Sequence, residues 1–287
     1  MSSTAKIAAG HLYVVATPIG NLGDLAPRAQ DILQGVAAIC AEDTRTTANL
    51  LTHFGIRNTL IAVHDHNEDE ICAKLVDRLL GGDALALVSD AGTPLVSDPG
   101  FTLVRAARAA NVPVITIPGP CAAISALSIS GLPSDRFVFE GFLPAKAMAR
   151  RERLSALARE TRTLIVYESS HRIAECVADI ASVLGASRPL CLARELTKLY
   201  EDSHSATAGE IVGWLQADDN RRRGEFVLII GGASAQADEK QAEGERVLRI
   251  LLGSLPASSA AKLAAEISGA RKKDLYALAV QQVGEDS

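Results

Sequence analysis

The sequence predicts an α/β protein in which two α/β domains are followed by a small helical domain. Up to about residue 120, five apolar segments of strand length alternate with segments of helical periodicity, a pattern typical of a parallel, doubly wound sheet. Beyond residue 121 the strands lie closer together in sequence, which indicates a mixed sheet. We therefore expect α/β domains at residues 1–120 and 121–232, and a helical tail at residues 240–287.

Composition narrows the class of protein. The 287 residues, 48% of them hydrophobic, suffice for two compact domains and an appendage. Asp and Glu (34) outnumber Lys and Arg (29), which argues against non-specific coating of nucleic acid. Five widely spaced cysteines without a CxxC motif indicate neither a zinc site nor a disulfide framework. Without a signal peptide or a long apolar run, we expect a reduced, soluble, cytoplasmic protein and no membrane partner.

The first strand, Leu12 to Ala16, leads into a loop from Thr17 to Asp24 and then into a helix that begins near Pro27. A strand, a glycine-bearing turn and a helix are typical of phosphate or nucleotide loops. The GxGxxG pattern is absent because only Gly20 and Gly23 are present. A plain connection between strand and helix therefore stays open.

The second strand, Val36 to Thr44, places Glu42 and Asp43 at its carboxyl end, and Arg45 follows as a helix starts. Capping of that helix explains Asp43 or Thr44, but it does not explain Glu42, Asp43 and Arg45 together.

The third strand, near Leu60 to Val63, ends in the run HDHNEDE. In an extended segment His64 and His66 lie on the same side. Because a third ligand at a recognisable spacing is missing, helix capping by Asn67 or Asp69 is favoured over a metal site.

The segment Leu87 to Gly100, LVSDAGTPLVSDPG, is the one around which the chain is organised. The apolar run that precedes it predicts a buried parallel strand, and ligands of such sheets bind outside the carboxyl ends of the strands. Gly92 permits positive φ, while Pro94 and Pro99 stiffen the loop. A rigid connection without a ligand is the alternative.

A fifth strand enters a Pro-Gly-Pro turn, and the helix from Cys121 to Ser130 follows. Its N-terminal amides can receive a carboxylate or a ribose hydroxyl. In the second domain, a strand leads to the helix start at Ser169 to Arg172, and Gly224 to Gly232 is the last buried strand.

The tail begins with residues 233–245, which read as a linker or a weak helix. Residues 246–280 predict three short helices, split at Leu255-Pro256 and at Ser268-Gly269, in a helix-turn-helix-like pattern. RNA contact, dimerisation and capping of the core are all open roles for this tail.

Seven motifs together make the chain recognisable. It resembles the small-subunit ribosomal RNA methyltransferases of the tetrapyrrole methylase superfamily over nearly its whole length, by the motifs ATPIGNLGD, AEDTR, LVSDAGTPLVSDPG, IPGPCAA, SGLPSDRF, YESSHR and ARELTK. The resemblance implies two tetrapyrrole-methylase-type domains with S-adenosyl-L-methionine bound in the cleft between them. It further implies a homodimer that methylates the ribose 2′-hydroxyl of a decoding-centre cytidine in 16S rRNA, within the 30S ribosomal subunit.

The resemblance also implies a set of cofactor-binding residues. Carried over position by position, these are Pro18, Asp90, Ala91, Gly92, Thr93, Cys121, Ala122, Tyr167, Glu168 and Leu196. Members that act on tetrapyrroles usually carry GxGxG and GDP where this chain has TPIGNLGD and SDAGTP. That departure supports the RNA-modifying branch.

The chemistry limits what the protein must supply. A sulfonium is already activated, so no metal is required, whereas a ribose hydroxyl is a poor nucleophile that a general base or strong acceptor should help. The acceptor candidates at strand ends are Asp24, Glu42, Asp43, Glu168, His171 and Glu195, and the sequence does not choose among them. The proposed catalytic set is Glu42, Asp43, Arg45, His171 and Arg172.

RNA binding requires local positive charge, which the chain carries in segments that flank the predicted cleft. The candidates are Arg45, Lys146, Arg150, Arg151, Arg153, Arg172, Arg194, Lys198 and Arg221 to Arg223. Two alternative functions remain, a tetrapyrrole C-methyltransferase and a non-catalytic RNA-binding or assembly factor on the same fold.

Overall fold

The computed structural model describes residues 7–64, 68–233 and 235–285. The first sheet is five-stranded and parallel, with the strand order β3-β2-β4-β1-β5. Its strands are β1 (Leu12–Val15), β2 (Ala38–Ala41), β3 (Leu60–Ala62), β4 (Leu85–Val88) and β5 (Val114–Ile117). The predicted doubly wound parallel domain is confirmed.

Helices cover both faces of this sheet, which is why its central strands are apolar throughout. The four helices are α1 (Pro27–Gly35), α2 (Thr44–His53), α3 (Glu68–Leu80) and α4 (Phe101–Ala109). Alternate residues of one strand enter different cores. Ile39 packs with α1 and α2, whereas its neighbour Cys40 packs with α3 and α4.

The strand order creates a switch point between β1 and β4. The chain leaves β1 towards β2 on one side, and it leaves β4 towards β5 on the other. In open α/β sheets the crevice where connections diverge is the place at which ligands bind. The loops that follow β1 and β4 therefore flank the expected site.

The second sheet is mixed, as the sequence predicted. Its order is β6-β7-β10-β8-β9, in which only the β6–β7 pair is parallel. Its strands are β6 (Phe137–Phe142), β7 (Thr163–Ser169), β8 (Pro189–Arg194), β9 (Asp202–Thr207) and β10 (Glu225–Ile230). The intervening helices are α5 (Ala122–Ile129), α6 (Ala147–Ala156), α7 (Ile173–Val183) and α8 (Ala208–Gln216).

The two faces of this sheet have different partners. Helices α6, α7 and α8 cover one face with a large aliphatic core. On the other face, α5 packs through Ala123, Ala126 and Leu127 against β7, β8 and β10. Ile19, from the loop after β1, also packs against this second face. The first loop of the parallel sheet thereby contacts the mixed sheet.

The tail folds as three helices, α9 (Ala235–Leu252), α10 (Ala257–Ser268) and α11 (Lys272–Glu285). They share a small core that includes Leu248, Ala261 and Leu275. The splits before residue 256 and at residue 269 are confirmed, and Gly269 ends α10 in the left-handed conformation. Of the two interpretations of residues 233–245, a linker or a weak helix, the helix is the one observed, since α9 already begins at residue 235. The segment is rich in Ala, Glu and Gln, which are strong helix formers.

Within the described ranges, no helix combines the length and the apolar character that a membrane crossing needs. The domain limits at residues 120, 232 and 240 stay a prediction, because the bounds of strands and helices do not by themselves fix where one domain ends and the next begins.

Candidate active site

The loops after β1 and β4 are joined directly. The amide of Thr17 donates to the Gly92 carbonyl (2.8 Å), and the Gly92 amide donates back to the Thr17 carbonyl (3.1 Å). The hydroxyl of Thr93 donates to the Pro120 carbonyl (2.9 Å), which adds the turn after β5 to the same unit. Three strand ends are therefore fixed relative to one another at the switch point.

Gly92 shows why this junction needs glycine. Its φ is 84°, which an L side chain rarely adopts, and a Cβ there would lie 3.1 Å from the Ile19 side chain. Gly20 is needed for a different reason, because the loop after β8 approaches its backbone closely. A Cβ on Gly20 would overlap the side chains of Lys198 and Thr197 in the loop after β8. The loop after β1 therefore packs directly against the loop after β8 of the mixed sheet.

Backbone strain is concentrated around this region. Among the described residues, five non-glycine residues have positive φ, and four of them lie in two loops, Leu95 and Ser97 after β4, Glu195 and Thr197 after β8. Such conformations cost free energy and persist only where the surroundings hold them, which is common at binding sites. The fifth, Asn111, lies in a plain turn between α4 and β5.

A cavity of about 390 Å³ opens between the two strained loops. Eight of the ten residues that the resemblance implied for the cofactor line it, namely Ala91, Gly92, Thr93, Cys121, Ala122, Tyr167, Glu168 and Leu196. The other two, Pro18 and Asp90, line an adjoining cavity of about 510 Å³ instead. The predicted residues do converge in space, and the cofactor role of each stays a prediction.

Ten further residues line this cavity and were not among the cofactor residues that the resemblance implied. These are Ile19, Val96, Ser97, Asp98, Phe142, Ser169, Lys198, Glu225, Phe226 and Val227. The contribution of β10 follows from its antiparallel pairing with β7, which sets Phe226 beside Glu168 and Val227 beside Tyr167. Six of them carried a visible signal, because they stand in the recognised motifs: Ile19, Val96, Ser97, Asp98, Ser169 and Lys198.

Tyr167 is held in one place by aromatic and polar contacts. Its hydroxyl accepts a hydrogen bond from the amide of Ala123, at the start of α5 (3.1 Å). The rings of Phe139 and Phe142 meet it edge-on, with centroids 5.1 and 5.7 Å away. Burial raises the pKa of the Tyr167 hydroxyl, so it stays a neutral hydrogen-bonding group.

Glu168 is fully buried and is engaged within the protein. Its carboxylate lies 3.1 Å from the Arg172 guanidinium and accepts the Ser169 amide at 2.8 Å. Arg172 also donates to the Leu143 carbonyl (2.6 Å). Through these contacts the Arg172 guanidinium connects β7 to the segment after β6. The expectation that it extends towards RNA therefore does not fit the structure.

Acidic side chains meet at the ends of β2 and β4. The Asp43 amide donates to the Asp90 carboxylate (3.0 Å), and the Asp90 amide donates to Glu42 (3.5 Å). Asp98 lies close enough that Glu42 and Asp90 affect its titration. Burial first, and then these two like charges, raise the pKa of Asp98 to about 6.

Asp43 behaves differently. It caps α2 by accepting the Arg45 amide (2.8 Å), as predicted. It also pairs with the Arg45 guanidinium at 2.6 Å, and this side-chain hydrogen bond lowers the pKa of Asp43 to about 2. Such a carboxylate is a weak proton acceptor, so among the candidates at β2 the geometry favours Glu42 over Asp43 for that task.

Of the six acceptor candidates, Glu168 lines the first cavity, whereas Asp24, Glu42, Asp43, His171 and Glu195 line neither cavity. His171 and Asp24 are exposed, and neither lines a cavity. Glu195 holds Lys198 (2.9 Å) and the Glu225 amide (2.9 Å). Burial opposes ionisation, but the Lys198 hydrogen bond and the Glu225 amide lower the pKa of Glu195. It therefore braces the wall of the cavity.

Besides Arg172, the predicted basic surface needs a second correction. Arg150 is only 1% exposed and pairs with Asp179 (2.7 Å) inside the second domain, so it is not available to a phosphate. The sequence concealed this, since Arg150 begins a run of four charged residues that ends at Arg153. Arg45, by contrast, is 89% exposed.

The metal hypothesis gains no support from the described residues, in which no three His, Cys, Asp or Glu side chains come together as a metal site. Asp65, His66 and Asn67 lie outside the described ranges, as does the side chain of Asp69. The capping roles suggested for Asn67 and Asp69 therefore stay predictions.

Comparison with known families gives two matches. Residues 11–212 match the family described as Tetrapyrrole (Corrin/Porphyrin) Methylases. Residues 238–282 match the family described as RsmI C-terminal HTH domain, which agrees with the helix-turn-helix-like pattern of the tail.

Similar curated proteins cover almost the whole chain. A protein of Xylella fastidiosa (strain Temecula1) named Ribosomal RNA small subunit methyltransferase I is 59% identical over 93% of this chain and 98% of its own length. A protein of the same name from Escherichia coli O157:H7 is 54% identical and covers 96% of each chain.

Solved structures show the same fold at low identity. Uroporphyrin-III-C-methyltransferase from Thermus thermophilus is 19% identical with a TM-score of 0.54, over 77% of this chain and 94% of that one. A crystal structure of the Thermus thermophilus enzyme complexed with S-adenosyl homocysteine gives 19% identity and a TM-score of 0.52, over 77% of this chain and 97% of that one.

Proposed function

The chain belongs to the tetrapyrrole (corrin/porphyrin) methylases, and from this premise we propose that it is an S-adenosylmethionine-dependent methyltransferase of small-subunit ribosomal RNA. The proposed acceptor is the ribose 2′-hydroxyl of a cytidine in the decoding centre of 16S rRNA. The observation that carries the proposal is the near-complete alignment with relatives named Ribosomal RNA small subunit methyltransferase I, with 59% identity to one of them. The C-terminal helical family match extends the agreement beyond the methylase domains.

The cavity between the strained loops suits a folded S-adenosylmethionine. It is apolar over much of its lining and falls within the range of about 300–1,000 Å³ typical of ligand sites. Asp98 contributes a half-buried carboxylate to the same lining, which favours a cationic ligand.

When bound, S-adenosylmethionine supplies a methyl group on a positively charged sulfur that is already activated for transfer. The residues of the chain then have to align the acceptor oxygen with that methyl group and exclude water. The rigid junction of Thr17, Gly92 and Thr93 can hold that geometry because three strand ends are fixed there. The acceptor that assists the hydroxyl is proposed to be Glu42, because its carboxylate accepts the amide of Asp90 (3.5 Å), a residue that lines the second cavity.

The substrate and assembly state are part of the same proposal. A chain with a formal charge of −5 suits a shaped ribonucleoprotein surface, the 30S subunit, better than free RNA. We expect it to act in the cytoplasm, where ribosomal subunits assemble, and to work as a homodimer. Sedimentation at micromolar concentration that shows monomer alone would contradict the dimer.

The decisive experiment maps methylation. Purified protein is incubated with methyl-labelled S-adenosylmethionine and with 30S particles from a strain that lacks the corresponding gene, and the rRNA is digested and analysed by mass spectrometry. We expect one labelled cytidine with the methyl group on the ribose. Transfer to a uroporphyrin-type tetrapyrrole instead would indicate the C-methyltransferase alternative. Cofactor binding without transfer to either substrate would indicate an assembly factor.

A further inference from the structure

The second cavity adjoins the proposed cofactor cleft directly. It measures about 510 Å³ and shares four lining residues with the first cavity, Ile19, Ala91, Lys198 and Glu225. Methyl transfer requires donor and acceptor atoms about 3–3.5 Å apart, so the acceptor must enter a space that is contiguous with the cofactor. The second cavity is such a space on the side of the parallel sheet.

One wall of this cavity is a face of α2. Thr46, Asn49 and His53 lie on it at helical spacing and line the cavity together with Leu50. Thr46, Asn49 and His53 are exposed. Among the described residues, the side chains of Thr46 and Asn49 make no hydrogen bond. A hydroxyl and an amide, which both donate and accept, are thus available to a ligand.

The charges in this cavity suit a neutral nucleoside, whereas the charge outside it suits the flanking phosphates. Asp90 and Glu225 place carboxylates in the lining, and Lys198 is already paired with Glu195 and Glu225 at 2.9 Å each. An interior of this kind disfavours a phosphate. Arg45, next to Thr46 in α2 and 89% exposed, offers positive charge outside the lining instead.

We propose that the second cavity is the subsite for the target nucleoside of a single-stranded RNA segment, with Thr46 and Asn49 as its hydrogen-bonding wall. This inference rests on the proposed function. The base enters between α2 and the loop after β1, where Pro18, Ile19 and Leu22 supply apolar surface. Its ribose then lies towards the four shared residues, and its flanking phosphates stay near Arg45. Single-stranded RNA is generally read in this way, by unstacked bases that bind to protein pockets.

The test uses substitutions on one helix. Asn49→Ala and Thr46→Val remove the hydrogen-bonding groups, while Thr52→Val makes the same change at an exposed position of α2 that lines neither cavity. With 30S particles that lack the methyl group and saturating S-adenosylmethionine, we expect kcat/KM for the particle to fall at least about tenfold in Asn49→Ala. Thr46→Val should fall less, Thr46→Ser should restore the rate, and Thr52→Val should match the parent.

Cofactor affinity distinguishes the alternatives. Isothermal titration should give the same S-adenosylmethionine dissociation constant for parent, Asn49→Ala and Thr46→Val. The inference is overturned if Asn49→Ala and Thr46→Val methylate as the parent does, or if their rate loss follows a loss of cofactor affinity. A parent protein that binds the cofactor but methylates no RNA would instead refute the proposed function. Since the substituted side chains are exposed, thermal unfolding should change little and serves as the folding control.

Discussion

The junctions β2–α2 and β7–α7 look alike in sequence and differ in structure. Each has a carboxylate at a strand end and an arginine shortly after it, Asp43 with Arg45 and Glu168 with Arg172. The first pair lies in solvent, with side chains 30% and 89% exposed. In the second, Glu168 is fully buried and Arg172 is 25% exposed. The same local pattern therefore produces a solvent-facing cation at one wall of the cleft and an internal clamp at the other.

The difference follows from what packs beside each junction. Leu143, which follows β6, brings a backbone carbonyl to Arg172, and β10 pairs across from Glu168. Nothing comparable among the described residues covers Arg45. Desolvation turns an arginine into a fixed structural group, because an unpaired buried charge is costly. An exposed arginine keeps the freedom to meet a phosphate.

The largest effect should come from breaking the buried clamp. Arg172→Ala leaves the Glu168 carboxylate without its cation, and we expect the free energy of unfolding to fall by about 3 kcal/mol. Urea denaturation measures it. Arg162→Ala, which removes the exposed partner of Glu160, is the matched control and should shift the midpoint far less. Equal shifts for the two variants would show that burial does not distinguish these pairs.

The exposed arginine should show the opposite profile. Arg45→Ala removes a cation in contact with solvent, so we expect an unchanged denaturation midpoint and about a tenfold loss in methylation of 30S particles at saturating cofactor. The S-adenosylmethionine dissociation constant should not change. Arg57→Ala, at another exposed arginine outside both cavities, is the control. A loss of cofactor affinity in Arg45→Ala would place this residue on the cofactor side.

The smallest effect concerns Asp98, which lines the cleft between the two walls. Its pKa of about 6 lies above the value of about 3.9 for an unfolded chain. Below pH 4 both states are protonated. As the pH rises from 4 to 6 the unfolded state ionises first, so the native state loses stability, and the loss is complete above pH 6.

Asp98→Asn should therefore stabilise the protein at pH 8, by about 1 kcal/mol once partial exposure is allowed for, and should leave it unchanged at pH 3.5. The same variant should bind S-adenosylmethionine more weakly at pH 8, because a carboxylate facing a cation is lost. Denaturant melts at the two pH values check the first expectation, with Asp31→Asn on the exposed side of α1 as control. A variant less stable than the parent at pH 8 would contradict it.

The sequence by itself determined the elements and much of the site. The apolar run from Leu85 to Val88 predicts a parallel strand, because a strand that is covered on both faces is apolar throughout. Gly269 predicts the end of a helix, because glycine readily adopts the left-handed conformation that ends it. The motifs at the ends of β4, β5, β7 and β8, through the family that they resemble, pointed to eight residues that do line one cavity. These features depend on residues close in the chain, so their patterns are legible there.

Only the tertiary structure decided which strands are neighbours and which charges are buried. The pairing of β10 with β7 brings Phe226 and Val227 into the cavity lining, and packing of α6 against α7 encloses Arg150 beside Asp179. Both results arise from contacts between segments distant in sequence. Exposure is a property of everything that surrounds a side chain, so two arginines in similar local contexts acquire opposite roles once the chain has folded.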